Sequence, residues 1–111
     1  MRHPRTVATL ALGRALVHTT DDMLDRIDSI RARRPSPSGR VIPEVNGSGR
    51  LTDMYIAPGT IAAAADPASL AADIMAGITE STDDALRQHT IAIQETVWPD
   101  VPKVPWVRRR R

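Results

Sequence analysis

The sequence predicts an α+β fold in which two helices flank a β-hairpin, and three observations predict it. From Gly39 to Pro58 the chain reads GRVIPEVNGSGRLTDMYIAP, two short alternating runs (Val41–Val45 and Leu51–Ile56) around Asn46-Gly47-Ser48-Gly49. Asn and Gly tolerate positive φ at little cost, which makes this a hairpin signal. Upstream, from Thr6 to about Arg34, apolar residues recur at helical spacing. Downstream, Asp66-Pro67 opens a second helical pattern that Pro99 stops.

The first helix is marked by Val7, Leu10, Ala11, Leu16, Val17, Leu24, Ile27 and Ile30, with Gly13 as a weak point. Thr19-Thr20-Asp21-Asp22 has the chemistry of an internal N-cap. One long helix fits, and so does a frayed leader before a helix from Asp21; residues 1–20 are therefore an N-terminal extension or a frayed start. Pro35-Ser36-Pro37-Ser38-Gly39 ends the helix, because residues before proline are pushed out of the α region. Just upstream, Ile30 to Arg34 can peel off as a short first strand. Pro43 lacks a ladder donor, so Val41–Val45 runs at an edge or turns the proline nitrogen away from any partner.

In the second run, Thr52, Met54 and Ile56 share one face and Leu51, Asp53 and Tyr55 the other. Two strands alone are marginal, so the hairpin requires a partner layer. After Ala57-Pro58-Gly59, Ile61 to Ala65 reads as a bridge. The last helix then carries an apolar line through Leu70, Ile74, Ile78, Thr82 with Ala85, Leu86, Ile93 and Val97. At 1.5 Å per residue it reaches roughly 45 Å, longer than a hairpin can cover. Residues 21–97 form the expected domain. Residues 98–111 form a Pro-spaced, Arg-rich tail expected to be extended.

Composition narrows the function. The 111 residues amount to one domain, with no Phe, one Tyr and two Trp, so the core is built from Ala, Leu, Ile, Val and Met. So thin a core makes shared burial between copies attractive. The absence of Cys excludes disulfides and Cys-based metal sites and fits a reducing compartment. No run approaches a membrane span, and Thr6–Gly13 is too short and too soon interrupted by Arg14 for a signal segment. A cytoplasmic protein is expected. Charge is uneven: residues 31–50 hold five arginines against Glu44, and residues 66–100 hold seven carboxylates against Arg87.

The hairpin around Asn46-Gly47, with Gly39, Val41, Val45, Leu51, Met54, Ile56 and the exit Pro58, resembles the YbaB/EbfC family of nucleoid-associated proteins. Asp66-Pro67, Leu70, Ile74 and Ala85 extend the likeness, which covers about residues 30–88 and is nearest to the actinobacterial branch. Some members of that branch accompany type VII secretion loci. Three features depart from the pattern: Ala57 where Asp is frequent, Pro43 within a strand, and an unusually acidic second helix. The resemblance implies an α+β fold with a short three-stranded antiparallel sheet between an N-terminal and a long C-terminal helix. It also implies a homodimer joined through the sheets, with Val41, Val45, Leu51, Thr52, Met54 and Ile56 as interface, and low-specificity binding of double-stranded DNA at the nucleoid.

Enzymatic chemistry finds little footing. His3, His18 and His89 are far apart and lack metal-ligand spacing. Asp21-Asp22 and Asp83-Asp84 are adjacent, so on a helix their side chains diverge by about 100°. There is no nucleophile elbow or phosphate loop. No enzyme, cofactor or metal is expected. The arginines are the sharper signal. Arg31, Arg33, Arg34, Arg40 and Arg50 flank the hairpin, and Lys103 with Arg108, Arg109, Arg110 and Arg111 makes a basic tail. Guanidinium groups take phosphates bidentately and give sequence-independent, salt-sensitive affinity. Two alternatives stand beside DNA binding. The arginines are simply a solvated surface and tail, or the acidic, Ala-rich helix or tail docks a protein partner, as an adaptor at a secretion locus would.

Overall fold

In the computed structural model, residues 4–100 are described, and their elements follow in chain order: α1 (Pro4–Asp28), β1 (Arg31–Arg33), β2 (Val41–Asn46), β3 (Leu51–Ile56), α2 (Thr60–Ala63) and α3 (Pro67–Gln94). The fold is α+β, with an N-terminal helix, a three-stranded antiparallel sheet and a long C-terminal helix. Its strand order is β1-β2-β3. Lys103 and Arg108–Arg111 lie outside the described residues.

α1 is one unbroken helix of 25 residues, so Asp21 starts nothing new. Thr20 does not cap; its hydroxyl donates back to the Leu16 carbonyl at 2.8 Å, as Thr does inside a helix. The chain leaves α1 through Ile30 and enters β1, where Ala32 pairs with Val45.

β2 is the central strand although it contains Pro43. β1 stops at Arg33, opposite Glu44, so Pro43 lies one residue beyond the last β1–β2 pair. Its nitrogen therefore faces a gap in the ladder, the second of the two ways a strand accommodates proline. Ser81 fills that gap. Its buried hydroxyl accepts from the Arg34 N–H at 2.9 Å and lies 3.2 Å from the Arg34 carbonyl and 3.1 Å from the Pro43 carbonyl.

The hairpin turn uses its last glycine for conformation and an earlier one for space. Gly49, at φ 81°, is the residue in the left-handed region, and the Gly49 N–H donates to the Asn46 carbonyl at 2.9 Å. This is a tight turn followed by a left-handed glycine. The Asn46 side-chain oxygen accepts from the N–H groups of Ser48 and Arg50, both at 3.0 Å. Gly47 has an ordinary φ but no room: a Cβ there would stand 2.2 Å from the Ile27 carbonyl oxygen at the end of α1.

A register shift opposite Glu44 and Val45 places Leu51 across from Val45 and Asp53 across from Glu44. Thr52 is the extra residue, and its hydroxyl turns to the Glu44 carboxylate at 2.7 Å. Strict alternation along β3 therefore fails at its first two residues, and Leu51 joins the Met54 and Ile56 side of the sheet.

α3 begins as the sequence predicts, with Asp66 as N-cap accepting from Ser69 N–H at 2.7 Å and Pro67 in the first turn. It packs on the sheet through a stripe of small residues, Gly77, Ser81 and Ala85, and Ala92 is buried farther along the helix. A Cβ on Gly77 would already stand 3.2 Å from the Pro43 ring. The sheet face beneath is Ala32, Val41, Pro43 and Val45, all buried. Leu86 and Ile93, expected on the core line, are exposed because the close approach of helix to sheet admits small side chains only, and Val97, expected on the same line, lies past the helix, which ends at Gln94. Most of the stretch expected as a bridge, Ile61 to Ala65, is taken up by α2, entered through left-handed Gly59, with the Thr60 hydroxyl donating to the Ala57 carbonyl at 2.6 Å.

Candidate functional site

The arginines of the basic segment meet two carboxylates, Glu44 within that segment and Asp84 in the acidic one. Arg31 and Arg33 stand on the sheet face away from α3, opposite Asn46 and Glu44 on β2. The Glu44 carboxylate lies between them: Arg33 Nε donates to it at 2.8 Å, and Arg31 Nε stands 3.7 Å away. The Thr52 hydroxyl, first, and the Arg33 guanidinium hold the Glu44 carboxyl below its usual range. Arg34, at the end of β1, reaches Asp84 on α3 at 3.3 Å, and Arg87 meets the same carboxylate at 3.0 Å. Asp73 accepts from both the N–H and the hydroxyl of Ser38, at 3.0 and 2.6 Å, and the hydroxyl bond lowers its pKa.

Three of the five arginines of the middle cluster are thus engaged by the chain's own carboxylates. Arg40 and Arg50 differ: no ion pair forms at either among the described residues. Arg40 precedes β2 and its carbonyl accepts from Ala57 N–H; Arg50 precedes β3 and its carbonyl accepts from Asn46 N–H. The two therefore mark opposite ends of the β2–β3 hairpin, about 20 Å apart for a six-residue strand.

The interface residues separate into two groups. Val41 and Val45 are 0 % exposed beneath α3, so they cannot line a contact between copies. Their alternation suits an interface and an internal core equally; α3 supplies the layer. Leu51, Thr52 and Ile56 are exposed and Met54 half-buried on β3, the edge of the sheet. The Met54 N–H stays outside the ladder and donates to the Asp53 side chain at 2.8 Å. Tyr55, opposite Ile42 on the face away from α3, is 55 % exposed.

Glu44 and Asp84 decide which arginines are engaged, a role that the sequence does not assign to either. Glu44 was legible in part, since pairing β1 with β2 puts Arg33 opposite it. Asp84 reaches Arg34 only through tertiary packing. His18 forms a helix pair with Asp22 at 3.3 Å, and His89 Nδ1 lies 2.6 Å from the Gly47 carbonyl, where it braces the turn. Among the described residues no three of His, Asp and Glu converge as a metal site, and no helix is long and apolar enough to cross a membrane. The chain matches no model of a known protein family and no curated protein.

Proposed function

We propose that this chain is a homodimeric protein of the YbaB/EbfC type that binds double-stranded DNA with little sequence preference and resides with the nucleoid. The observation that carries the reading is β3, a six-residue edge strand accessible along its length. A sheet of three strands with one face on α3 and an open edge invites a second copy to continue it. The helix–three strands–helix order agrees with the architecture that the resemblance implies. In this reading the contact between copies runs through Leu51, Thr52, Met54 and Ile56. Arg40 and Arg50 are the phosphate ligands of the sheet, joined by Lys103 and Arg108–Arg111. Arg31, Arg33 and Arg34 contribute less, because each would have to leave a carboxylate first.

Anisotropy titrations of a random duplex from about 50 to 200 mM salt test this directly. Arg40→Gln with Arg50→Gln should weaken binding uniformly across sequences and reduce the salt slope by about 1 for each phosphate no longer neutralised. Unchanged affinity in that variant and in a 1–107 truncation would sink the assignment. The internal neutralisation of Arg31, Arg33 and Arg34 favours a second reading, a protein-interaction module or secretion-locus adaptor. Failure of every variant to bind duplex at about 50 mM salt, with recovery of one stoichiometric protein partner, would establish that reading instead.

A further inference from the structure

α1 carries an apolar surface that the other described residues leave uncovered. Leu10 is 42 %, Val17 61 % and Leu24 48 % exposed, on a helix whose packing within the chain is against α3. Arg14 and Asp21 fall between them on the same side of the helix. At 3.6 residues per turn, positions 10, 14, 17, 21 and 24 lie within about 80° of arc, a single narrow stripe with the 3-4 spacing of a helix-pairing seam. Val7, 50 % exposed, continues it toward the N-terminus. The inward face of α1 is separate, passing through Met23 and Ile27, with buried Ile30 just past the helix end.

The order of side chains along this stripe is self-complementary. Read outward from Val17, Arg14 stands on one side and Asp21 on the other, then Leu10 and Leu24. We propose that α1 pairs antiparallel with α1 of a second copy, about a two-fold axis beside Val17. That axis sets Val17 against Val17, Leu10 level with the second copy's Leu24, and Arg14 within about one residue's rise of the second copy's Asp21. A parallel pair would instead bring Arg14 against Arg14 and Asp21 against Asp21, which charge repulsion opposes. The pairing is only a few turns long, so it is weak and concentration-dependent beside a full interface. It uses a different surface from β3. A chain pairing through both would build assemblies larger than a dimer, and breaking the α1 pair would leave pairing through β3 intact.

The chain has no cysteine, which makes disulfide trapping clean. Val17→Cys should cross-link to itself under oxidation. Leu10→Cys mixed with Leu24→Cys should form the mixed pair, while neither alone should form a homodimer. Self-linking of Leu10→Cys, or no linking of Val17→Cys, would overturn the proposal. Sedimentation supplies the energetic test on the full chain. Arg14→Asp or Asp21→Arg alone should weaken the concentration-dependent step about ten-fold, since each pairing holds two symmetric ion pairs. The double reversal should restore it. Reversals without effect, or a double variant no better than the singles, would overturn the charge register. Because these side chains are not part of the core, helical circular dichroism should be unchanged throughout.

Discussion

Ser81 joins three segments through one hydroxyl, bridging the end of β1, the proline of β2 and α3. Removing it leaves the Arg34 N–H and Pro43 carbonyl without partners in a buried site. Ser81→Ala is therefore expected to lower unfolding free energy by about 1–3 kcal/mol in urea denaturation. Two glycines make a contrasting pair. Gly47→Ala forces a methyl onto the Ile27 carbonyl and should destabilise by about 1–3 kcal/mol, whereas Gly13, with open space around it, should tolerate alanine and gain about 0.5–1 kcal/mol of helix stability. Acid sensitivity also belongs to single residues. Glu44, Asp66 and Asp73 all have pKa values below their ordinary 4.5 and 3.8, held down by Thr52, Ser69 and Ser38 respectively as the first cause. Their contribution is complete above those ordinary values and is lost as pH falls through the lowered ones. The stability difference between the native chain and Ser38→Ala should accordingly be larger at neutral pH than at the acid end of a pH series, where only the bonds of the Ser38 hydroxyl to Arg40 N–H and Ser36 remain.

At the level of elements, α3 and β3 respond in opposite ways to altered side chains. Ala85→Leu enlarges a side chain that is fully buried between α3 and the sheet, and should cost about 1–3 kcal/mol through overpacking. Leu86→Ala, one position along and 46 % exposed, should change stability by less than about 0.5 kcal/mol. On β3, the Met54 N–H points away from β2, so a proline there spares the existing ladder and removes a donor only from the open edge. Met54→Pro is expected to give a folded chain that no longer pairs through β3, read as mass by light scattering. A variant that still associates through the sheet would show that the edge is not the contact.

For the whole molecule, shape and charge distribution matter together. The radius of gyration is 22.6 Å, against about 13 Å for a compact chain of this length, because α1 and α3 extend well beyond a small sheet. Surface is abundant and core is scarce, the condition under which association adds most. The acidic α3 lies along the basic stretch that follows β1, and Glu44 sits among the arginines of the sheet. Glu44→Gln should therefore release Arg31 and Arg33 and strengthen duplex binding several-fold at low salt, with the gain fading as salt is raised. Equal affinity at all salt concentrations would show that this sheet face does not meet phosphate.

The order and kind of the elements could be read from the chain because their signals are local. Asp66-Pro67 encodes a helix start, the Asn46–Gly49 turn a hairpin, and Pro35–Gly39 a helix end, each through dihedral preferences and nearby hydrogen bonds. Which residues those elements bury was settled only by packing. Val41 and Val45 face α3 rather than another copy, and Leu86 and Ile93 face outward because the helix approaches the sheet too closely for large side chains. Packing also settled which arginines pair with the chain's own carboxylates. Arg34 meets a carboxylate 50 positions away, a separation over which no sequence spacing specifies contact. A pattern of charge along a chain records what each segment carries; only the folded arrangement brings the opposite charges within a few ångströms of each other.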